Sequence, residues 1–214
     1  MTDGGDAPPP YRRSVLVRRL AALRGFPSPD PRREQVGTPP EAAATLLEAA
    51  LAREDIAGRT VLDLGSGTGV LAIGAALLGA RRVTGVEAEA GAIAAARANA
   101  EATGVEVDWR LAEVERVAER AETVVMNPPF GAQTAHADRP FWDAAFASAE
   151  RRIYAFALAD SRSFIARRAV ARGAKVEATV AVPWELPRTF RHHRKARVDL
   201  PVDLWVLAPA EIPP

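Results

Sequence analysis

The residues with the most specific chemistry in this chain are Asn127-Pro128-Pro129-Phe130. Two consecutive prolines fix φ and supply no N–H, so the carbonyls of Asn127 and Pro128 remain as rigidly aimed acceptors. An array of this kind suits an aromatic amine on a nucleobase, a poor nucleophile because its lone pair is delocalised into the ring. Two acceptors holding the amine hydrogens draw the nitrogen toward tetrahedral geometry and aim its lone pair at an electrophile. Phe130 then offers a ring face on which the base can stack. A proline-stiffened turn with a buried Phe has the same composition, and what separates the two readings lies upstream.

Val61 to Leu64 runs into Gly65-Ser66-Gly67-Thr68-Gly69 and then an apolar helix from Val70 to Leu78. A glycine loop between a first strand and its helix lets backbone come close to a ligand at the carboxyl edge of a parallel sheet. Val70 stands where the dinucleotide fingerprint GxGxxG wants its last glycine, and no GK[ST] is present for a phosphate loop. Glu87, about 20 residues past the loop, is placed to bond ribose hydroxyls. Ribose recognition without a pyrophosphate cradle points to S-adenosylmethionine, whose sulfonium methyl is the electrophile the amine needs. Taken alone, the glycines could serve only a tight turn and Glu87 only a solvated strand end.

These motifs need a scaffold that delivers them to one edge. From Arg59 the chain alternates short apolar runs (TVLDL, RRVTGVE, VEVDWRL, AETVVMN, RRIYAFAL, KVEATVAV and VDLWVLA) with Ala-rich helical stretches. That pattern predicts an α/β fold, a Rossmann-like seven-stranded sheet with helices on both faces. The last two runs are joined by 183–201, which carries no helical signal, so the last strand is expected antiparallel as a hairpin. Upstream, Val15 to Leu23 reads as an amphipathic helix, and Thr38 is placed to cap a second one, with Pro39 first in it and Glu41 reaching back. The expected organisation is a disordered tail over 1–10, one domain over 11–208 including the helical extension, and a short tail over 209–214.

The chain has 214 residues and is 48% hydrophobic, enough to bury a full core as one domain. With 28 basic and 27 acidic residues its net charge is +1, so any nucleic-acid site must be local. The absence of cysteine removes disulfides, thiolate zinc sites and cysteine nucleophiles. The first ten residues lack the charged start and apolar run of a signal peptide, and the longest apolar stretch, 70–80, is too short to span a bilayer, which leads us to expect a cytoplasmic protein. One basic cluster stands out: Arg188, Phe190, Arg191, His193, Arg194, Lys195 and Arg197. It follows a parallel sixth strand and so leaves the sheet at the edge that carries the motifs. Basic side chains interleaved with an aromatic suit phosphates and unstacked bases, although a solvated charged hairpin has the same look.

VLDLGSGTG, GVEAEA and VVMNPPFGAQ resemble, in order, the motifs of S-adenosylmethionine-dependent amino-methyltransferases with an Asn-Pro-Pro-Phe signature. The segments Leu20 to Phe26, Glu34 to Thr38, HADRPF and WELPRTFRHHRKARVDLPVDL further resemble the archaeal and eukaryotic family that methylates the 6-amino group of one adenosine in small-subunit ribosomal RNA. That resemblance implies cofactor contacts from Gln35, Thr38, Asp63, Gly65, Gly67 and Gly69, ribose binding by Glu87, and an acid beside the adenine at Glu113. It makes Asn127, Pro128, Pro129 and Phe130 the catalytic tetrad. It also implies a small zinc-containing activator docked on a sheet edge as a heterodimer. Departures from the family pattern are Ser66 for Cys, Glu87 and Glu113 for Asp, Val36-Gly37 for Tyr-Pro, and Ala157 where His is frequent. Rival readings are a guanine 2-amino methyltransferase, a release-factor glutamine methyltransferase, disfavoured by Phe130 where Tyr is usual, and an inactive ribosome-assembly RNA binder.

Overall fold

The computed structural model describes residues 11–27, 34–35, 37–131, 136–184 and 200–210. Seven strands form one sheet: β1 Thr60–Leu64, β2 Arg82–Glu87, β3 Asp108–Leu111, β4 Ala121–Met126, β5 Ala149–Leu158, β6 Lys175–Val182 and β7 Val202–Ala208, in the order β3-β2-β1-β4-β5-β7-β6. β1 to β5 are parallel, and β7 is antiparallel to both neighbours, as the sequence led us to expect. β3 is shorter than its apolar run, and Val105 and Val107 pack on the core from outside the strand.

Central parallel strands are buried on both faces, which is why β1 and β4 read as continuous apolar runs. Their side chains divide by parity between two cores. Val61 and Val125 face one layer with α1 Arg13–Ala21, α2 Pro40–Leu51, α3 Val70–Leu77 and α4 Ala90–Thr103. Leu62, Leu64, Val124 and Met126 face the other, with α5 Arg139–Ser148 and α6 Arg162–Ala171. β7 alternates the same way, Val202, Leu204 and Val206 against Trp205 and Leu207.

The N-terminal extension differs from expectation in two respects. α1 starts two residues earlier than the apolar pattern and buries only Leu16 and Leu20, leaving Val15 exposed. α2 starts at Pro40 with Pro39 before it, and Thr38 makes no cap. The helix begins one residue later than the sequence suggests, so Pro39, which has no side-chain acceptor, takes the cap position, and the Thr38 hydroxyl accepts from Asn127 instead. Glu41 does not reach back either; its carboxylate accepts from Arg13 Nη2 at 3.0 Å and ties α2 to α1.

A buried polar knot holds the opposite edge of the sheet. Asp55, wholly buried, accepts from Arg151 Nε at 2.5 Å and from the Tyr154 hydroxyl at 2.7 Å, while its backbone carbonyl accepts from Thr123. Burial and the neighbouring Asp55 carboxylate raise the Tyr154 pKa, so this knot stays intact across the neutral range.

Candidate active site

The register Leu64↔Met126 sets the ends of β1 and β4 side by side, so the residues that follow them, Gly65 and Asn127, leave from the same edge. Glu87 ends β2, and Glu113 follows β3 at that edge. There they border an open cavity of about 280 Å³. Gln35, Thr38, Asp63, Gly65, Gly67, Glu87, Glu113, Asn127 and Pro129 all line it. Gly69 does not; at φ 91° it leads into α3. Neither Pro128 nor Phe130 is among the cavity's lining residues: Pro128 is buried, and Phe130 is half-buried with its ring edge-on to Trp184 at 5.5 Å. The whole basic cluster from Arg188 to Arg197 lies outside the described residues.

The glycines serve the loop in a way the motif does not state. Gly67 has φ 53°, and a Cβ there would stand 2.8 Å from Phe26 Cζ. At Gly65 (φ 69°) a Cβ would stand 2.6 Å from Phe141 Cε1. The missing side chains are thus replaced by aromatic rings of the protein, so close approach to ligand is not the sole reason for glycine here. Phe26 is held over the loop by Asn99 of α4, whose amide accepts from Arg24 N at 2.9 Å and donates to the carbonyls of Arg24 and Thr68. Phe26 and Phe141 end the segments Leu20 to Phe26 and HADRPF, whose resemblance to the family gives them no role; Asn99 carries no sequence signal, being one polar residue in an Ala-rich helix.

The acids are set by backbone. Glu87 accepts from Gly67 N and from Glu89 N, each at 2.9 Å, one on each oxygen. Each oxygen keeps a lone pair for a hydroxyl. Asp63, 1% exposed, accepts the Ala72 N–H at 2.9 Å. Burial, with a further push from the charge of Glu87 and against the Ala72 hydrogen bond, raises its carboxyl to about 7.

Asn127 is oriented from the N-terminal side. Its Nδ2 donates to Thr38 Oγ1 at 3.0 Å, which turns Oδ1 away from that partner. Oδ1 is buried with no hydrogen-bond partner. A buried acceptor left unpaired costs stability and calls for a donor, and Asn127 borders the cavity from which a ligand can bring one. Thr38, expected as a helix cap, is instead the residue that sets this amide.

A doubly wound sheet with a reversed last strand, opening at its carboxyl edge onto a ribose-type acid and an unpaired amide acceptor, is the framework of Rossmann-like S-adenosylmethionine-dependent methyltransferases. Known proteins share it. The methyltransferase small domain model matches residues 39–154. Over 198 residues the chain is 32% identical to the rRNA N(6)-adenosine-methyltransferase of Drosophila melanogaster, covering 89% of this chain and 93% of that protein. An uncharacterized protein of Methanocaldococcus jannaschii is 31% identical over 91% of this chain and 93% of its own. The solved structure of a Pyrococcus horikoshii protein superposes with a TM-score of 0.86 at 36% identity, covering 94% of this chain and 98% of that one. The chain belongs to the methyltransferase small domain family and, within it, to the group formed by the rRNA N(6)-adenosine-methyltransferases and their archaeal homologues.

The residues present fit S-adenosylmethionine. Glu87 offers carboxylate oxygens to a ribose, and Asp63 is a carboxyl that a nearby cation would ionise. This gives a linkage prediction. Because the Asp63 pKa lies above its ordinary 3.8, the cofactor-free protein loses stability as pH rises from there toward about 7. The sulfonium and ammonium charges of the cofactor favour ionised Asp63, so binding releases a proton and tightens as pH rises through about 7. Calorimetry in two buffers of different ionisation heat should show unequal binding heats that become equal in Asp63→Asn; equal heats in the parent protein would refute the linkage.

Proposed function

We propose that this methyltransferase acts on the 6-amino group of an adenosine in small-subunit ribosomal RNA. The observation that carries this reading is the unpaired, buried Oδ1 of Asn127 in the wall of the cofactor cavity. Oδ1 accepts one amine hydrogen and the Pro128 carbonyl the other, which aims the nitrogen lone pair into the cavity. S-adenosylmethionine, when bound, supplies a methyl activated by its sulfonium. The nitrogen forms the new bond to carbon, the C–S electron pair leaves with sulfur, and the surplus proton passes to solvent once the nitrogen carries positive charge. No charged base is needed.

Adenosine is favoured over guanosine by the names of the full-length relatives, and over glutamine by Phe130, whose half-buried ring leaves surface for a base. Ribosomal RNA from both subunits, separated after incubation with labelled S-adenosylmethionine and digested to nucleosides, should carry label in N6-methyladenosine of the small-subunit RNA. Label in guanosine, in the large-subunit RNA or on protein glutamine would overturn the assignment.

The described ends of the basic segment support its role in RNA capture. Trp184, at its start, packs against Phe130, and Leu200 N donates to the Trp184 carbonyl at 3.4 Å, so the segment leaves and returns beside the tetrad. Replacing Arg191, Arg194 and Lys195 together with Ala should weaken RNA binding and reduce the slope of log affinity against log salt by up to about 2–3, with cofactor affinity nearly intact. An unchanged slope would make the segment a bland solvated loop. A small zinc-containing activator pairing with a sheet edge completes the proposal. Its support is the two outer strands, with Leu111 on β3 60% exposed and Val180 on β6 51%. A chain that is soluble and fully active alone would count against it.

A further inference from the structure

Pro128 and Pro129 have no N–H, so the first backbone donors after Asn127 are those of Phe130 and Gly131. Both converge on one atom, Oε2 of Glu34, at 2.7 Å and 3.0 Å. Adjacent N–H groups closing on a carboxylate oxygen make charge-assisted hydrogen bonds of the stronger kind. Glu34 lies 96 residues upstream of Phe130 and itself lines the cofactor cavity, as do Gln35 and Thr38 from the same stretch. Its φ of 51° is a left-handed conformation that a non-glycine residue keeps only where its surroundings over-determine it. The reaction loop is therefore held at two points from one stretch of chain, Thr38 on the Asn127 side chain and Glu34 on the backbone two residues past Pro128.

We propose that Glu34 is a positioning residue that couples cofactor binding to alignment of the tetrad. Contacts that seat Gln35 and Thr38 against the cofactor also seat Glu34, and through it the backbone of Phe130 and Gly131. Occupancy of the methyl-donor site then firms the aim of the amine acceptors. This rests on the reading that the site methylates RNA adenosine.

The test measures S-adenosylhomocysteine affinity with and without saturating unmethylated small-subunit ribosomal RNA made by transcription in vitro, the single-turnover rate, and hydrogen exchange at Phe130 and Gly131. In the parent, RNA tightens S-adenosylhomocysteine binding by about 5-fold or more, the lower range of ordinary site-site coupling, and S-adenosylhomocysteine slows exchange at the two amides. In Glu34→Ala the coupling falls to about onefold, the exchange response disappears and the single-turnover rate drops about 10- to 100-fold, on the scale of lost positioning contacts. Glu34→Gln keeps an acceptor oxygen and restores most of the rate and the exchange response, which a lost packing contact would not predict. Glu34→Ala with parental coupling and rate overturns the proposal. A parent that methylates no RNA adenosine defeats the functional reading instead, while the exchange response to S-adenosylhomocysteine still decides the coupling.

Discussion

Asn127→Ala is expected to slow single-turnover methylation on saturating RNA by about a hundred- to a thousandfold, the usual cost of removing one preorganised electrostatic contact. The loss falls on chemistry because Oδ1 is the one unpaired atom of a side chain whose residue lines the cavity, while Nδ2 is taken by Thr38. Neither the loop from Gly65 to Gly69 nor Glu87 hydrogen-bonds to Asn127, so affinity for S-adenosylmethionine should stay within a few-fold of the parent. The variant leaves the Thr38 hydroxyl without its partner, a change at the cavity rim that acts far less on turnover than loss of the acceptor. If Asn127→Ala methylates at the parental rate, the acceptor mechanism is wrong and the four residues are only a turn.

Gly67→Val should lower S-adenosylmethionine affinity by about fivefold to a hundredfold. A β-branched residue at φ 53° is strained by roughly 1–3 kcal/mol, and each 1.4 kcal/mol is tenfold in binding. The added Cβ would also stand 2.8 Å from Phe26 Cζ, so either the ring or the loop must move. Movement of the loop breaks the Gly67 N–H bond to Glu87 and releases that carboxylate, expected to meet the ribose, from its set orientation. Since Gly67 lies outside every strand and helix, the circular dichroism of the sheet and helices should be retained. Unchanged affinity by calorimetry would remove the loop from the cofactor site.

The parts of the site that sequence made legible share one property: each is local. Gly65 to Gly69 and Asn127 to Phe130 are contiguous, and the parallel strands before them betray themselves by unbroken apolar runs, so strand, loop and edge can be inferred together. The contacts that finish the site join residues far apart in the chain. Glu34 meets Phe130 and Thr38 meets Asn127 across about ninety positions, and neither pairing leaves a period or a spacing to find. Thr38 before Pro-Pro has the look of a cap, but nothing in the sequence tells which of the two prolines opens the helix; with Pro40 first, Thr38 stands one residue outside the cap position. Likewise the rings of Phe26 and Phe141 explain Gly67 and Gly65 as packing positions, which a glycine motif alone presents as ligand positions.

The place of β7 also bears on how the chain is made. It enters between β5 and β6 and pairs with both, yet it is the last of the seven strands in chain order. During synthesis, which delivers the N-terminal part first, β1 to β4, whose ends border the cofactor cavity, can close together with β5 while β6 has no neighbour to pair with. Until residue 208 emerges, the ladder groups of β6 and of one side of β5 stay unmade, an interval in which strand edges are open to mispairing. Loss of β7 would strip β6 along with it, so the methyl-donor half of the site is assembled early and the wall that holds Trp184 against Phe130 is set in place last.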